Sequence, residues 1–330
     1  MGVRIRSALG RAVAGYLYRG RDRRAGHRTH SSRYERNTGG ELTMDIALTV
    51  NGLEKRYKGF QLGPLDLELP SGTVTGLIGA NGAGKTTALH CMAGLEPKDG
   101  GSGALFGQDI DYGAGAWKHE VALAGDQPFF YESWTGQKNL DFIASFFPKW
   151  SPSRATELAT RFRCPLDKKV KTLSKGNRVT LGLIAALARE PRVLLLDEPT
   201  AGLDPLVRSE TLNALWELIE SGEHTIFYST HNLSDIGRLA DQLIFLNEGH
   251  QVLQATVSEL DAQWGKISYR AATALVLGGE VVSQRSEGQQ HQLVTSQRET
   301  TLNCLQSAED VQCSALPIEE IAVLILKQVR

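Results

Sequence analysis

An α/β fold with a parallel sheet at its centre follows from three stretches of this sequence. The first is Gly79-Ala80-Asn81-Gly82-Ala83-Gly84-Lys85-Thr86-Thr87, which follows Thr73–Ile78, a stretch that reads as a buried strand, and leads into helix-forming residues up to Gly94. The second is Val193-Leu194-Leu195-Leu196. Such a continuous apolar run is expected of a strand buried on both faces of a parallel sheet, and this one ends in Asp197-Glu198. The third is Thr225–Ser229, another strand-like run, which ends at Thr230-His231. Strands that alternate with helical stretches in this way build an open sheet, and ligands of such sheets bind at the carboxyl ends of the strands.

The glycine-rich stretch satisfies G-x-x-x-x-G-K-S/T, the P-loop that cradles phosphates. A strand feeding a glycine loop that opens a helix aims backbone N–H groups and the helix dipole at one point, which suits a polyphosphate. Gly82 and Gly84 let the backbone approach oxygens closely because no Cβ intervenes. Lys85 can reach the outer phosphates and Thr86 can offer its hydroxyl to Mg²⁺. Asp197 and Glu198 put two carboxylates at the same sheet edge, a costly arrangement unless a metal, proton chemistry or a structural ion pair uses it.

Hydrophobic residues make up 41% of the 330 and charged residues 22%, as in an ordinary globular protein. The net charge of −1 hides an asymmetry: residues 1–43 hold ten arginines and three acids, about +7, and leave the remainder near −8. An acidic body makes nucleic acid an unsuitable partner for it. The basic segment lacks sustained periodicity and reads as a disordered, dispensable extension, with Met44 as an alternative start. The apolar run Ile321–Leu326 is too short to span a bilayer, so a membrane role has to come through a partner. Cys91, Cys164, Cys304 and Cys313 form no C-x-x-C pair, which leaves reduced thiols as the expectation.

From residue 44 the elements follow in order. Ile46, Leu48 and Val50 alternate, as do Leu65, Leu67 and Leu69, which predicts half-buried antiparallel strands. Tyr57, in the link between them, can stack on a base or cap the sheet. Gly100–Gly107 reads as a glycine-rich turn region, and Val121–Ala124 as a strand ending near Gly125-Asp126-Gln127. The aromatic group Phe129, Phe130, Tyr131 and Trp134 opens a helical region, about 128–173, which Pro148, Pro152 and Pro165 divide. Ser174 is an N-cap for the helix Lys175–Glu190, a second candidate anion site. Residues 266–330 read as a small appended α+β domain: strands over Lys266–Leu277 and Gln292–Ser296 around a polar Gln284–Gln292 stretch, then a helix over Ile318–Gln328.

Taken together these motifs resemble the nucleotide-binding subunit of an ATP-binding-cassette (ABC) transporter over about residues 46–260. Gly79–Thr86 resembles that family's Walker A sequence, with Ala80, Asn81, Ala83 and Thr87 inside or beside it. Leu173-Ser174-Lys175-Gly176-Asn177 resembles its signature, with Lys175 and Asn177 replacing the usual third and fifth members. Val193–Glu198 resembles Walker B with its adjacent catalytic glutamate, Gly202-Leu203-Asp204 the D-loop, and His231 the switch histidine. In the Q-loop register Asp126 stands where the family has glutamine and Gln127 comes one residue later. The acidic Q-loop, the lysine in the signature and Pro317-Ile318-Glu319-Glu320 are similar to the branch that serves ABC-2-type exporters.

The resemblance implies a P-loop NTPase core over 44–265 with an antiparallel β subdomain and a helical subdomain. It implies ATP and Mg²⁺ as ligands, with Tyr57 stacking on adenine and Thr86 and Asp197 holding the metal. It assigns Glu198 to polarising water, and His231 and Lys85 to the γ-phosphate. Two cassettes, in a homodimer or heterodimer, would sandwich ATP between Walker A of one and the signature of the other. They would drive separately encoded membrane permease subunits from the cytoplasmic face, through the surface near Asp126–Trp134. The competing classes are a soluble non-transport ABC ATPase and an ATP-binding regulatory or scaffold protein. The single P-loop disfavours the first, and intact Glu198 and His231 disfavour the second.

Overall fold

The computed structural model describes residues 34–36, 42–110, 113, 115–125, 128–237, 239–273 and 280–328. Within the basic extension, β1 (Tyr34–Arg36) pairs antiparallel with β2 (Leu42–Met44); the rest of 1–41 lies outside the described residues. The body begins with β3 (Ile46–Tyr57) and β4 (Phe60–Pro70), whose alternating burial is the half-buried pattern that the leucines predict. The chain continues through β5 (Val74–Ile78), α1 (Lys85–Met92), β6 (Gly100–Leu105), β7 (Gln108–Asp109) and β8 (Val121–Gly125). It then passes through α2 (Gly136–Ala144), α3 (Pro152–Arg161), α4 (Lys175–Leu187), β9 (Val193–Asp197), α5 (Pro205–Ser221) and β10 (Thr225–Thr230). Next come α6 (Leu233–Ile236), β11 (Gln242–Asn247), β12 (His250–Thr256) and α7 (Val257–Gln263). The chain ends with β13 (Gly265–Arg270), β14 (Val281–Glu287), β15 (Gln290–Thr295), α8 (Arg298–Cys304), β16 (Glu309–Ser314) and α9 (Ile318–Gln328).

The central sheet runs β12-β11-β5-β10-β9-β8, parallel except at the β11–β12 hairpin. Its inner strands β5, β9 and β10 are buried at every position because both faces are covered, whereas the edge strand β12 carries His250, Gln251 and Gln254 and is only partly buried. Along β9, Leu194 and Leu196 join the core under α4 and α5, while Val193 and Leu195 join the core shared with α1 and the antiparallel sheet. Each such buried side chain contributes about 1.5–3 kcal/mol. The antiparallel sheet runs β4-β3-β6-β7. Here the reading of Gly100–Gly107 as a turn region is corrected: Gly100–Leu105 is a strand, paired to β3 from Leu48↔Leu105 to Asn51↔Ser102. A backbone with few side chains still completes a ladder when its partner strand supplies the packing.

The last segment forms a third sheet, β14-β15-β13-β16, around Ile267, Tyr269, Leu293 and Leu305. The polar stretch from Gln284 is not a linker, since Val281–Glu287 pairs with Gln290–Thr295 as a hairpin. α9 leaves this sheet and packs on the main body, where Ile318, Ile321, Ala322 and Ile325 are buried. Among the described residues no helix is long and apolar enough to cross a membrane. Cys91 and Cys164 are buried, and burial pushes both thiols up to about 11, so neither is a poised nucleophile.

Candidate active site

Parallel register gathers the three motifs at one edge. Ile78, the last residue of β5, lies opposite Thr230 of β10, and Ser229 lies opposite Asp197 of β9. The P-loop, the acid pair and His231 therefore leave the sheet side by side. A cleft of about 440 Å³ opens there, lined by Asn81, Gly82, Gly84, Lys85, Thr86, Thr87, Asp197 and Glu198, with Tyr57 and Phe60 at one side. Gly79, Ala80 and Ala83 are the other residues of the loop that frames it.

The loop is held by its own lysine. Lys85 is buried, and its Nζ donates to the carbonyls of Gly79 at 2.8 Å and Ala80 at 3.2 Å. Gly84 takes φ +103°, a left-handed value, and begins α1 without any side-chain cap. By contrast α2 to α7 are each capped by a side chain: Thr135, Ser151, Ser174, Asp204, Asn232 and Thr256. The first N–H groups of α1 thus face the cleft as donors without a side-chain acceptor, which is where an anion binds a helix. A Cβ at Gly84 would lie 2.8 Å from Leu62 Cδ1 and 2.9 Å from Phe60 Cζ. Gly84→Ala is therefore expected to cost about 1–3 kcal/mol of backbone strain and to weaken nucleotide binding. Thermal melting with and without ATP checks this, by a lower melting temperature and a smaller ligand-induced rise.

The acids are fully engaged. Asp197 accepts from Thr86 Oγ1 at 2.6 Å and from Ser229 Oγ at 2.5 Å. Glu198 takes φ +51°, a conformation that costs a non-glycine residue about 1–3 kcal/mol and is found at functional sites. Its backbone is fixed by bonds from its N–H to Ser229 O at 3.1 Å and from Ala201 N–H to its carbonyl at 3.0 Å. Glu198 Oε1 accepts from His231 N–H at 3.0 Å, sits 2.8 Å from His231 Nδ1 and is 3.5 Å from Lys85 Nζ. A carboxylate between an ammonium and an imidazole, beside a phosphate cradle, is placed for proton transfer from a water.

Thr86 and Asp197 offer hard oxygen donors, which is the chemistry Mg²⁺ prefers. Among the described residues no group of three or more His, Cys, Asp or Glu could hold a metal, so a cation here takes its other ligands from phosphate and water. Tyr57 ends β3, is 43% exposed at the cleft and donates its hydroxyl to Glu96. Burial first, and then Glu96, push this hydroxyl up to about 12, so it stays neutral; Lys55 Nζ lies 5.6 Å from the centre of its ring.

Not every predicted residue enters this cleft. Ser174 caps α4, accepting from Asn177 N–H at 3.1 Å, and neither these two nor Lys175 and Gly176 line the cleft. The stretch that resembles the signature instead lies against the one that resembles the D-loop: a Cβ at Gly176 would come 3.1 Å from Gly202 O. Asp204 caps α5, accepting from Leu206 and Val207 N–H, both at 3.1 Å. Asp126 and Gln127 lie outside the described residues. Three contributors went unread in the sequence: Ser229 on Asp197, Glu96 on Tyr57, and Phe60 at the cleft wall. None of the three carries a motif, and Ser229 stands out from its strand by no alternation, since β10 is buried at every position.

The family profile described as ABC transporter matches residues 62–201. A daunorubicin resistance ATP-binding protein of Streptomyces coeruleorubidus is 36% identical over 67% of this chain and 72% of its own length. The bacitracin transport ATP-binding protein of Enterococcus faecalis is 34% identical over 66% of this chain and 72% of its own length. A solved structure of the ATP-binding subunit of an ABC transporter superposes with a TM-score of 0.60 at 27% identity, covering 66% of this chain and 92% of that one.

Proposed function

The chain belongs to the ABC transporter ATP-binding family, and from that premise we propose that it is the Mg²⁺-dependent ATPase that powers an ABC-2-type exporter. The observation that carries this reading is the cluster formed by the uncapped start of α1, Lys85, the Thr86–Asp197 pair and the Glu198–His231 pair at one sheet edge. Export is favoured because the similar proteins of Streptomyces and Enterococcus are named for antibiotic resistance and transport.

ATP would lie with its phosphates over the α1 N-terminus and Lys85, and its base against Tyr57. Mg²⁺, held by Thr86 and Asp197, supplies charge neutralisation for the phosphates when bound. Glu198 orients and deprotonates the attacking water, and His231 supports the γ-phosphate while fixing the Glu198 carboxylate. Catalysis of this kind is positioning and charge stabilisation, which suits a site whose groups are already hydrogen-bonded in place. The signature, absent from its own cleft, is free to close the cleft of a second copy, and the paired cassettes would work on membrane permease subunits at the cytoplasmic face.

Phosphate release by the purified chain, measured with Mg²⁺ and with a chelator, tests the enzymatic part. Turnover only with the cation is expected. No turnover with ATP and Mg²⁺ together would move the reading to the regulatory class.

A further inference from the structure

Behind the Glu198–His231 pair lies a buried polar network that no sequence motif announced. Asp235, on α6, is 4% exposed. Its Oδ2 accepts from Thr200 Oγ1 at 2.6 Å, and its carboxylate is gripped by Arg208 of α5, with Nε 2.9 Å from Oδ1 and the terminal amino group on the same oxygen. Thr200 Oγ1 is also 3.1 Å from the hydroxyl of Tyr228 in β10. The same arginine reaches Ser234 Oγ at 3.2 Å.

Thr200 follows Glu198 by two residues, and Asp235 follows His231 by four. One carboxylate thus ties the segment that leaves the glutamate to the short helix that follows the histidine. Arg208 adds the helix that begins at the D-loop. α6 is backed by α9: a Cβ at Gly237 would lie 2.5 Å from Ile318 Cγ2, so the end of α6 sits tight against that helix. A buried ion pair is weak support for stability, because desolvation offsets most of the attraction, but it fixes geometry well. A carboxylate spent this way beside a catalytic pair is better explained by orientation.

We propose that Asp235 is a positioning residue for ATP hydrolysis: through Thr200 and Arg208 it holds the His231 segment at hydrogen-bond distance from Glu198. This rests on the hydrolytic reading of the Glu198–His231 pair given above.

The test uses the full chain and Asp235→Asn, which keeps the shape of the side chain and removes its charge. Steady-state turnover and the imidazole resonances of ¹³C-labelled histidine are read together, with His231→Ala identifying the His231 signal. Displacing a catalytic pair by about 1 Å costs about 10²-fold, so kcat is expected to fall by that order with KM unchanged. The His231 resonance is expected to move while those of the other histidines stay in place. Unchanged kcat, or a lower kcat with an unmoved His231 resonance, overturns the proposal. If Asp235→Asn does not fold, Arg208→Gln, at the more exposed end of the network, takes its place in the same two measurements. If that variant unfolds as well, the network serves only the fold and the proposal fails. His231→Ala separates the two levels. Wild-type turnover in that variant would remove the hydrolytic reading itself, whereas a loss there without a loss in Asp235→Asn removes only the role of Asp235.

Discussion

Glu198→Gln is expected to lose about 10²–10⁴-fold in ATP turnover, the scale of a general base, while binding ATP as the unmodified chain does. The amide keeps the size of the carboxylate and can still accept from the His231 N–H, now 3.0 Å away. It cannot take a proton from water. It also cannot pair with Lys85, 3.5 Å off, which leaves that ammonium free for phosphate. ATP should therefore stay bound, and a paired, ATP-loaded form should accumulate. Phosphate release gives the first reading and light scattering with ATP gives the second. Turnover at the unmodified rate would show that Glu198 is not the base.

Lys85→Ala should fail one step earlier, at binding. A hydrogen bond to a charged group contributes about 1.5–3 kcal/mol, so losing the one ammonium N–H not already given to the loop carbonyls weakens ATP by about 10–10²-fold. The loop suffers as well, because the carbonyls of Gly79 and Ala80 both lose their Nζ donor. Titration with a fluorescent ATP analogue measures the affinity, and an unchanged value would contradict the phosphate-cradle reading.

What could be read in the sequence was what lies close together along the chain. The P-loop works through consecutive N–H groups and one lysine, so its chemistry is written in nine successive residues. Val193–Leu196 declares burial on both faces by being apolar throughout, and the next two residues carry the acids. Ser174 reads as a cap because capping is decided within four residues, and its bond from Asn177 N–H is the expected one. What could not be read is assembled across the chain. β6 is a strand because Leu48–Asn51 offer it a ladder, against the preference of its glycines. Tyr57 depends on Glu96, 39 residues away, and Asp235 on Thr200, 35 residues away. The backbone of Glu198, with φ +51°, is likewise held from across the chain, by the carbonyl of Ser229.

On the proposed reading each complete site joins the P-loop of one copy to the signature-like stretch of another. Mixing two inactive variants tests it directly. Lys85→Ala disables the P-loop. Ser174→Asp keeps the cap of α4, since Asp caps as well as Ser, but sets a negative charge against phosphate. Each alone should show almost no turnover. Mixed together, the pairs that form contain one site built from an intact P-loop and an intact signature, and phosphate release should return. If the mixture stays as inactive as its two components, the site is not shared between copies of this chain and the account is contradicted.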